Sequence, residues 1–241
     1  MKIITGLILL VGLLCTPPAL SSVVVCYSVD MGGNNTEPLD GLAARGTFEL
    51  SGTSLIIYLE NISTGMPASF DVGDSMLVSL GMNLPGVDFA SGDAAVIAGG
   101  STGIGAWSDR TAGDSVAEQW IWTNDFGGDF MEAYQHVIST SSGQGGGTST
   151  RFDGLSGTVN GPSGGMATEL PLLNVPGSWP AVSHSIRYEL TLTDTLTESQ
   201  LQEVADASIV EFGSDARYLG VPEPATMIML VIGGLLYGRR R

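Results

Sequence analysis

Two serines stand in spacings that hydrolytic enzymes use. Gly161-Pro162-Ser163-Gly164-Gly165 fits the G-x-S-x-G pattern, in which a strained turn between a strand and a helix presents a serine hydroxyl to a histidine from elsewhere in the chain. Pro162 directly before the serine, and a stretch after Met166 that reaches Pro171 without a helical period, do not supply such a turn. The residues read instead as a flexible Gly/Pro loop. His136, His184 and Cys26, the one cysteine beyond an apolar leader, are too few and too scattered for a zinc cluster. Asp125-Phe126-Gly127-Gly128-Asp129 sets two carboxylates around a glycine turn, which suits Ca²⁺, but it lacks the further alternating acids of a calcium hand. A solvated acidic turn is the expectation, with no metal and no other cofactor.

The other chemistry-bearing side chains have structural accounts beside functional ones. Trp120-Ile121-Trp122 puts two indoles on one face of a strand. Exposed, they would form a platform for stacking sugar rings, as in a carbohydrate-binding module; facing inward, they would be core, the usual place for such pairs in a sandwich. Trp107 and Trp179 complete the set. His184 is in phase with Ile186 and is expected at a strand end in the core. Cys26 cannot close a disulfide within the chain, and as a free thiol it is expected to be buried. Asn34-Asn35-Thr36 and Asn61-Ile62-Ser63 fit the glycosylation pattern. Val72-Gly73-Asp74-Ser75 resembles the opening block of the GDSL hydrolases, whose serine works with the histidine of a downstream D-x-x-H. Here Ala133 and Ala181 stand at that spacing before His136 and His184, and the alternating helices of those α/β enzymes are missing. No catalytic residue is assigned, and a secreted serine hydrolase through Ser75 or Ser163 is the least supported alternative.

Charge narrows the partners. Formal net charge is −16, and removing the leader with Lys2 and the tail with Glu223 and Arg239 to Arg241 leaves five arginines against 24 acids, a balance of −19. Binding to nucleic acid needs a basic surface that this domain does not have. The acidity suits a solvated exterior.

Both ends read as export signals. Met1-Lys2, the apolar run from Ile3 to Leu14, the breaker Thr16-Pro17-Pro18 and the small residues of Ala19-Leu20-Ser21 make a secretory signal peptide over residues 1–21, handled by signal peptidase. At the other end Val221-Pro222-Glu223-Pro224 precedes an apolar run from Ala225 to Tyr237 and then Gly238-Arg239-Arg240-Arg241. Thirteen helical residues span roughly 20 Å against a hydrocarbon core of about 30 Å, a marginal transmembrane helix. The arginines place the C-terminus in the cytoplasm and the domain outside. Prolines on both sides of Glu223 keep the junction extended and accessible.

These three ordered parts resemble the PEP-CTERM sorting signal of Gram-negative bacteria, carried here by Pro222, Glu223 and Pro224, the apolar run, and Arg239, Arg240 and Arg241. The resemblance implies recognition by exosortase, a membrane-embedded processing enzyme, in organisms that make exopolysaccharide. It also implies a protein held briefly at the inner membrane by its C-terminal helix, then displayed at the cell surface or shed into the extracellular matrix of a biofilm. Exopolysaccharide is the further partner implied. The strand pair from Ala44 to Glu60 and the segment from Ile186 to Ser214 are also similar to the bodies of such exosortase-dependent surface proteins.

Residues 22–214 must then supply the domain. Abundant glycine (34 residues), few charges and alternating patterns bounded by turns read as all-β. Gly46 to Ser51 and Ser54 to Glu60 make a hairpin about Gly52-Thr53, the second strand apolar enough for a doubly covered place. Ile186, Tyr188, Leu190 and Leu192 share one face of a strand, with Arg187, Glu189 and Thr191 on the other. Thr197-Glu198-Ser199-Gln200 is a capping box opening a short helix, Glu198 to Ala205, before a last strand from Ser208 to Phe212. Residues 215–221 read as a linker and 222–241 as the sorting segment. Thr140 to Thr150 and Asn160 to Gly165 are expected to be mobile loops. The expected architecture is an antiparallel, jelly-roll-like β-sandwich with one late helix, flanked by a signal helix and a C-terminal hydrophobic helix.

Overall fold

The computed structural model describes residues 21–33, 39–67, 71–97, 101–125, 133–141, 149–155, 159, 161–168, 179–213 and 217–223. The leader and the segment from Pro224 onward, with the helices expected of them, lie outside the described residues. Among the described residues no helix is long and apolar enough to cross a membrane.

Alternation builds the first sheet. In β3 (Ala44–Ser51) and β4 (Ser54–Asn61) every second side chain is buried, Phe48 and Leu50 on one strand, Leu55, Ile57 and Leu59 on the next. Gly52 adopts φ +60°, a conformation glycine reaches without strain, and closes the expected hairpin with Ser51 opposite Ser54. β13 (Ser185–Leu192) pairs antiparallel with β4 and on its far side with β6 (Phe89–Val96), while β1 (Ser21–Tyr27) adds an edge beside β3. Ile186, Tyr188, Leu190 and Leu192 are buried and Glu189 and Thr191 exposed, as the period of two requires. Only one face of β4 is buried: Ile56, Tyr58 and Glu60 are half-exposed, so its apolar run marks a central strand and not a doubly covered one.

The second sheet is centred on β5 (Leu77–Met82), every residue of which is buried. On one side lie β9 (His136–Ser139), β8 (Ile121–Thr123) and β10 (Thr150–Arg151). On the other lie β14 (Ile209–Phe212), β15 (Arg217–Gly220) and β2 (Val29–Gly33). Three short strands extend it from the start of β5: β11 (Met166–Ala167), β12 (Ala181–Ser183) and β7 (Gly103–Ile104). All described pairings are antiparallel except that of β11 with β12. The inner faces meet in one core in which Phe48, Ile57 and Tyr188 face Leu80, Ile138 and Val210 across the layers. The fold is therefore an all-β antiparallel sandwich with one short helix.

That helix, α1 (Glu198–Asp206), begins as expected: the Gln200 amide donates to Thr197 Oγ1 and the Thr197 amide to Gln200 Oε1, satisfying two of the donors that a helix start leaves open. Leu201, Val204 and Ala205 are its buried stripe, turned toward β1 and β3.

Three further expectations are corrected. Residues 217–220, read as linker, are a buried strand paired on both sides, and the polar residue that disguised it, Arg217, has its guanidinium bonded to Asp74. The folded domain thus runs to Gly220. Cys26 is exposed and not buried, because β1 alternates Val25 and Tyr27 inward and Cys26 outward. The turn at 161–165, read as a mobile loop, is anchored: Pro162, Gly164 and Gly165 are buried, the Gly165 amide donates to Pro162 O, and Gly164 O accepts the indole N–H of Trp120 at 3.1 Å.

The two sheets are joined by a polar seam. The chain passes from β12 into β13 through His184, which sits at φ +74°. Its amide donates to Ala167 O and its carbonyl accepts the Asn61 amide. Asn61, 1% exposed at the end of β4, donates through Nδ2 to Ser75 O at 3.0 Å and Met166 O at 2.9 Å, and accepts the Ser63 amide at Oδ1. One side chain therefore ties the end of a central strand of the first sheet to the segment leading into β5 and to the start of β11 in the second.

Candidate functional site

Outward-facing positions of the first sheet fall into rows set by its registers. One row contains Cys26, Arg45 and Glu60 and ends at the buried Ser185; the next contains Val24, Thr47, Tyr58, Arg187 and Ala95. Arg45 Nε donates to Glu60 Oε2, and this bond, more than the opposing cost of burial, raises the guanidinium pKa. The second oxygen of Glu60 lies 3.5 Å from His184 Nε2. Beside them Arg187 donates to Glu189 at 2.8 Å and stands opposite Tyr58 in the register of β4 and β13. Val24, Arg45, Thr47, Tyr58, Glu60 and Ile97 line a shallow groove of about 370 Å³ over these rows. A guanidinium, a phenol ring and a carboxylate converge there on the open side of a rigid sheet.

His184 reaches this face because its positive φ breaks the strand alternation that would have carried it into the core with Ile186. Histidine is one of the few side chains that enter the left-handed region with any frequency. The expected core histidine is therefore a half-exposed one beside Glu60. Arg45, Tyr58 and Glu60 were visible only as the polar positions of a hairpin. Their meeting with Arg187 and His184 depends on β4 pairing with β13, more than 120 residues away, which no local pattern announces.

The other candidate residues are placed differently. Trp120 and Trp122 do share a face, but it points inward. Trp120 is wholly buried, with its ring edge-on to Tyr188 at a centroid distance of 5.0 Å, and Trp122 packs edge-on against Phe89 at 6.1 Å. A stacking platform built on that pair is overturned, since its rings are spent on the core. Ser75 is buried and donates to Val72 O, while Ser163 directs its hydroxyl to Gln119. The imidazole of His136 accepts the Leu84 amide at Nδ1 and meets Asp88 at Nε2, so it closes a turn. Burial pulls its pKa down, against a smaller upward pull from Asp88. Neither serine is joined to a histidine, and the hydrolase alternative loses its geometry.

Asn61 spends both amide protons inside the seam, which removes it as a glycosylation acceptor. Asp125 is exposed, and Asp129, Asn34 and Asn35 lie outside the described residues. Among the described residues no three His, Cys, Asp or Glu side chains are grouped to hold a metal. Of the sorting residues, Pro222 is half-buried and Glu223 exposed immediately after β15, and Pro224, Arg239, Arg240 and Arg241 lie outside the described residues. Compared with protein-family models, with curated proteins and with solved structures, the chain finds no match.

Proposed function

We propose that this chain is an exported, exosortase-processed surface or extracellular-matrix protein without catalytic activity, a β-sandwich delivered to the exopolysaccharide layer. The observation that carries the proposal is the ordered tail: Pro222-Glu223-Pro224, the apolar run and the three terminal arginines. The fold supports it in one respect. Its last described strand ends at Gly220 and Glu223 is exposed, which leaves the start of the tail outside the paired strands of the sandwich. Ser75, Ser163 and His136 are otherwise engaged, the two serines with a carbonyl and an amide and His136 with a turn.

Intact-mass measurement of the extracellular protein tests the proposal. A mature chain beginning near Ser22 and ending within a few residues of Pro222 is expected. A secreted form that still carries Arg241 would overturn it.

A further inference from the structure

We propose that β1 is a self-pairing edge. Two copies of this chain join through it antiparallel, about a two-fold axis at Val24, so that their five-stranded sheets continue into one another. The pairing does not depend on how the tail is sorted.

An edge strand presents a row of unpaired N–H and C=O groups, and folded proteins ordinarily blunt it with charge, proline, a bulge, shortness or a covering segment. The other edges of this sandwich are blunted. β6, on the far side of the same sheet, is covered: the Val96 amide donates to Asp114 O, and the Gly113 and Val116 amides donate to Val96 O and Ala94 O. In the second sheet β7 and β10 are two residues long, and β2 has an acid, two glycines and a shifted register. β1 differs on each count. Ser21-Ser22-Val23-Val24-Val25-Cys26-Tyr27 contains no charge, proline or glycine and pairs with β3 without a register shift. Among the described residues no strand lies on its other side. α1 packs against the inward side, in the core that holds Val25 and Tyr27, and leaves Ser22, Val24 and Cys26 exposed. Val24, at the middle of the strand, is an apolar side chain 60% exposed.

Self-complementarity identifies the partner as a second copy. A two-fold interface must map each group onto one that suits it. An axis at Val24, the midpoint of β1, pairs the strand along its whole length: Ser21 lies opposite Tyr27 of the other copy, Ser22 opposite Cys26, and Val24 opposite its own counterpart. Cleavage after Ser21 keeps this axis and the pairs from Ser22 to Cys26. Charge agrees with the register. β3 holds Glu49 beside Ser22 and Arg45 beside Cys26, so the axis at Val24 puts each Arg45 on one row with the Glu49 of the other copy. An axis at Cys26 would put two arginines on one row and an axis at Ser22 two glutamates, and either would leave most of the strand unpaired. Across three strand spacings, about 14 Å, these charges choose the register more than they supply affinity. The backbone ladder and the two valines supply that.

Sedimentation equilibrium of the extracellular protein, with its thiol kept reduced, tests this over a range of concentrations. A reversible equilibrium between monomer and dimer is expected. Val24→Lys sets two like charges against each other on the axis and should weaken the dimer about tenfold or more, with circular dichroism checking that the variant is folded. Cysteine crosslinking reads the register. Val24→Cys combined with Cys26→Ser places two thiols directly opposite, at a Cα separation of about 4.5–5.5 Å that a disulfide spans, and should give a covalent dimer on oxidation. In the wild type the two Cys26 residues stand four positions apart along the ladder, about 14 Å, and should not crosslink. The crosslinking pair keeps the test valid if Val24→Lys does not fold. A wild-type chain that stays monomeric throughout, an undiminished dimer of folded Val24→Lys, or wild-type crosslinking through Cys26 as ready as that of the Val24→Cys protein would each overturn the proposal.

Discussion

Asn61 offers the sharpest test of how the two sheets hold together. Its side chain makes three hydrogen bonds at 1% exposure, two to the carbonyls of Ser75 and Met166 and one from the Ser63 amide. Asn61→Ala removes all three and leaves two carbonyls and an amide facing a cavity too small for bulk water. At about 1 kcal/mol net for each bond, the loss is about 3 kcal/mol, with the desolvation of orphaned groups pushing it higher. Against a total stability of about 5–15 kcal/mol, that is a large fraction. Asn61→Asp separates shape from hydrogen bonding, since it keeps the volume but replaces two donors with acceptors aimed at carbonyl oxygens. The new carboxyl is disfavoured as an anion there, so its folded pKa rises above the unfolded value of about 3.9. Its stability deficit should therefore be smallest below that pH and widen as pH rises toward the folded pKa. Equilibrium urea unfolding gives both numbers. An Asn61→Ala protein within about 0.5 kcal/mol of wild type, the scatter of ordinary surface changes, would refute the assignment of Asn61 as the tie between the sheets.

Four further outcomes follow from the same structure. Among the described residues the buried Tyr188 hydroxyl finds no hydrogen-bond partner, and burial pushes its pKa well above 10. Tyr188→Phe should raise stability by about 1 kcal/mol, and an unchanged or lowered urea midpoint would contradict it. His136 is held neutral by burial, so its contribution should be complete above the ordinary histidine value of about 6.5 and decline as pH falls toward its lowered folded pKa. His136→Phe should flatten that part of the stability profile, and a profile identical to wild type would exclude His136 as its source. Arg217→Met strips the partner from Asp74 in a largely buried pair and should cost about 3 kcal/mol or more; a melting temperature within a degree of wild type would contradict it. At His184, φ +74° predicts that Gly is tolerated while Val, β-branched and strained there, costs about 1–3 kcal/mol more. Equal midpoints for the two variants would refute the strain.

What the sequence showed, it showed through short-range physics. The alternation in β3, β4 and β13 and the capping box at Thr197 need only neighbouring residues, and each lies where the pattern put it. The second sheet was largely hidden. β7, β10 and β11 are two residues long and β12 three, too short to display a period. Val23-Val24-Val25-Cys26-Tyr27 is apolar throughout, so the sequence could not tell which side of β1 faces out. Arg217 made a strand look like a linker because its partner, Asp74, is 143 residues away. The groove was illegible for the same reason as the seam. Both arise where β4 meets partners distant in sequence, and the tryptophan pair drew attention to a face that turned out to be core.

The position of β15 bears on how the domain would carry load. It lies between β14 and β2, antiparallel to both, and the Ser28 amide is bonded to its final carbonyl, that of Gly220. A pull on the chain beyond Gly220 acts along the axis of β15. The ladders on both sides are then loaded lengthwise, and their bonds must give way together and not one after another as in unzipping. The last strand before the tail is thus clamped on two sides, a geometry that lets force on the C-terminus be shared by the whole second sheet.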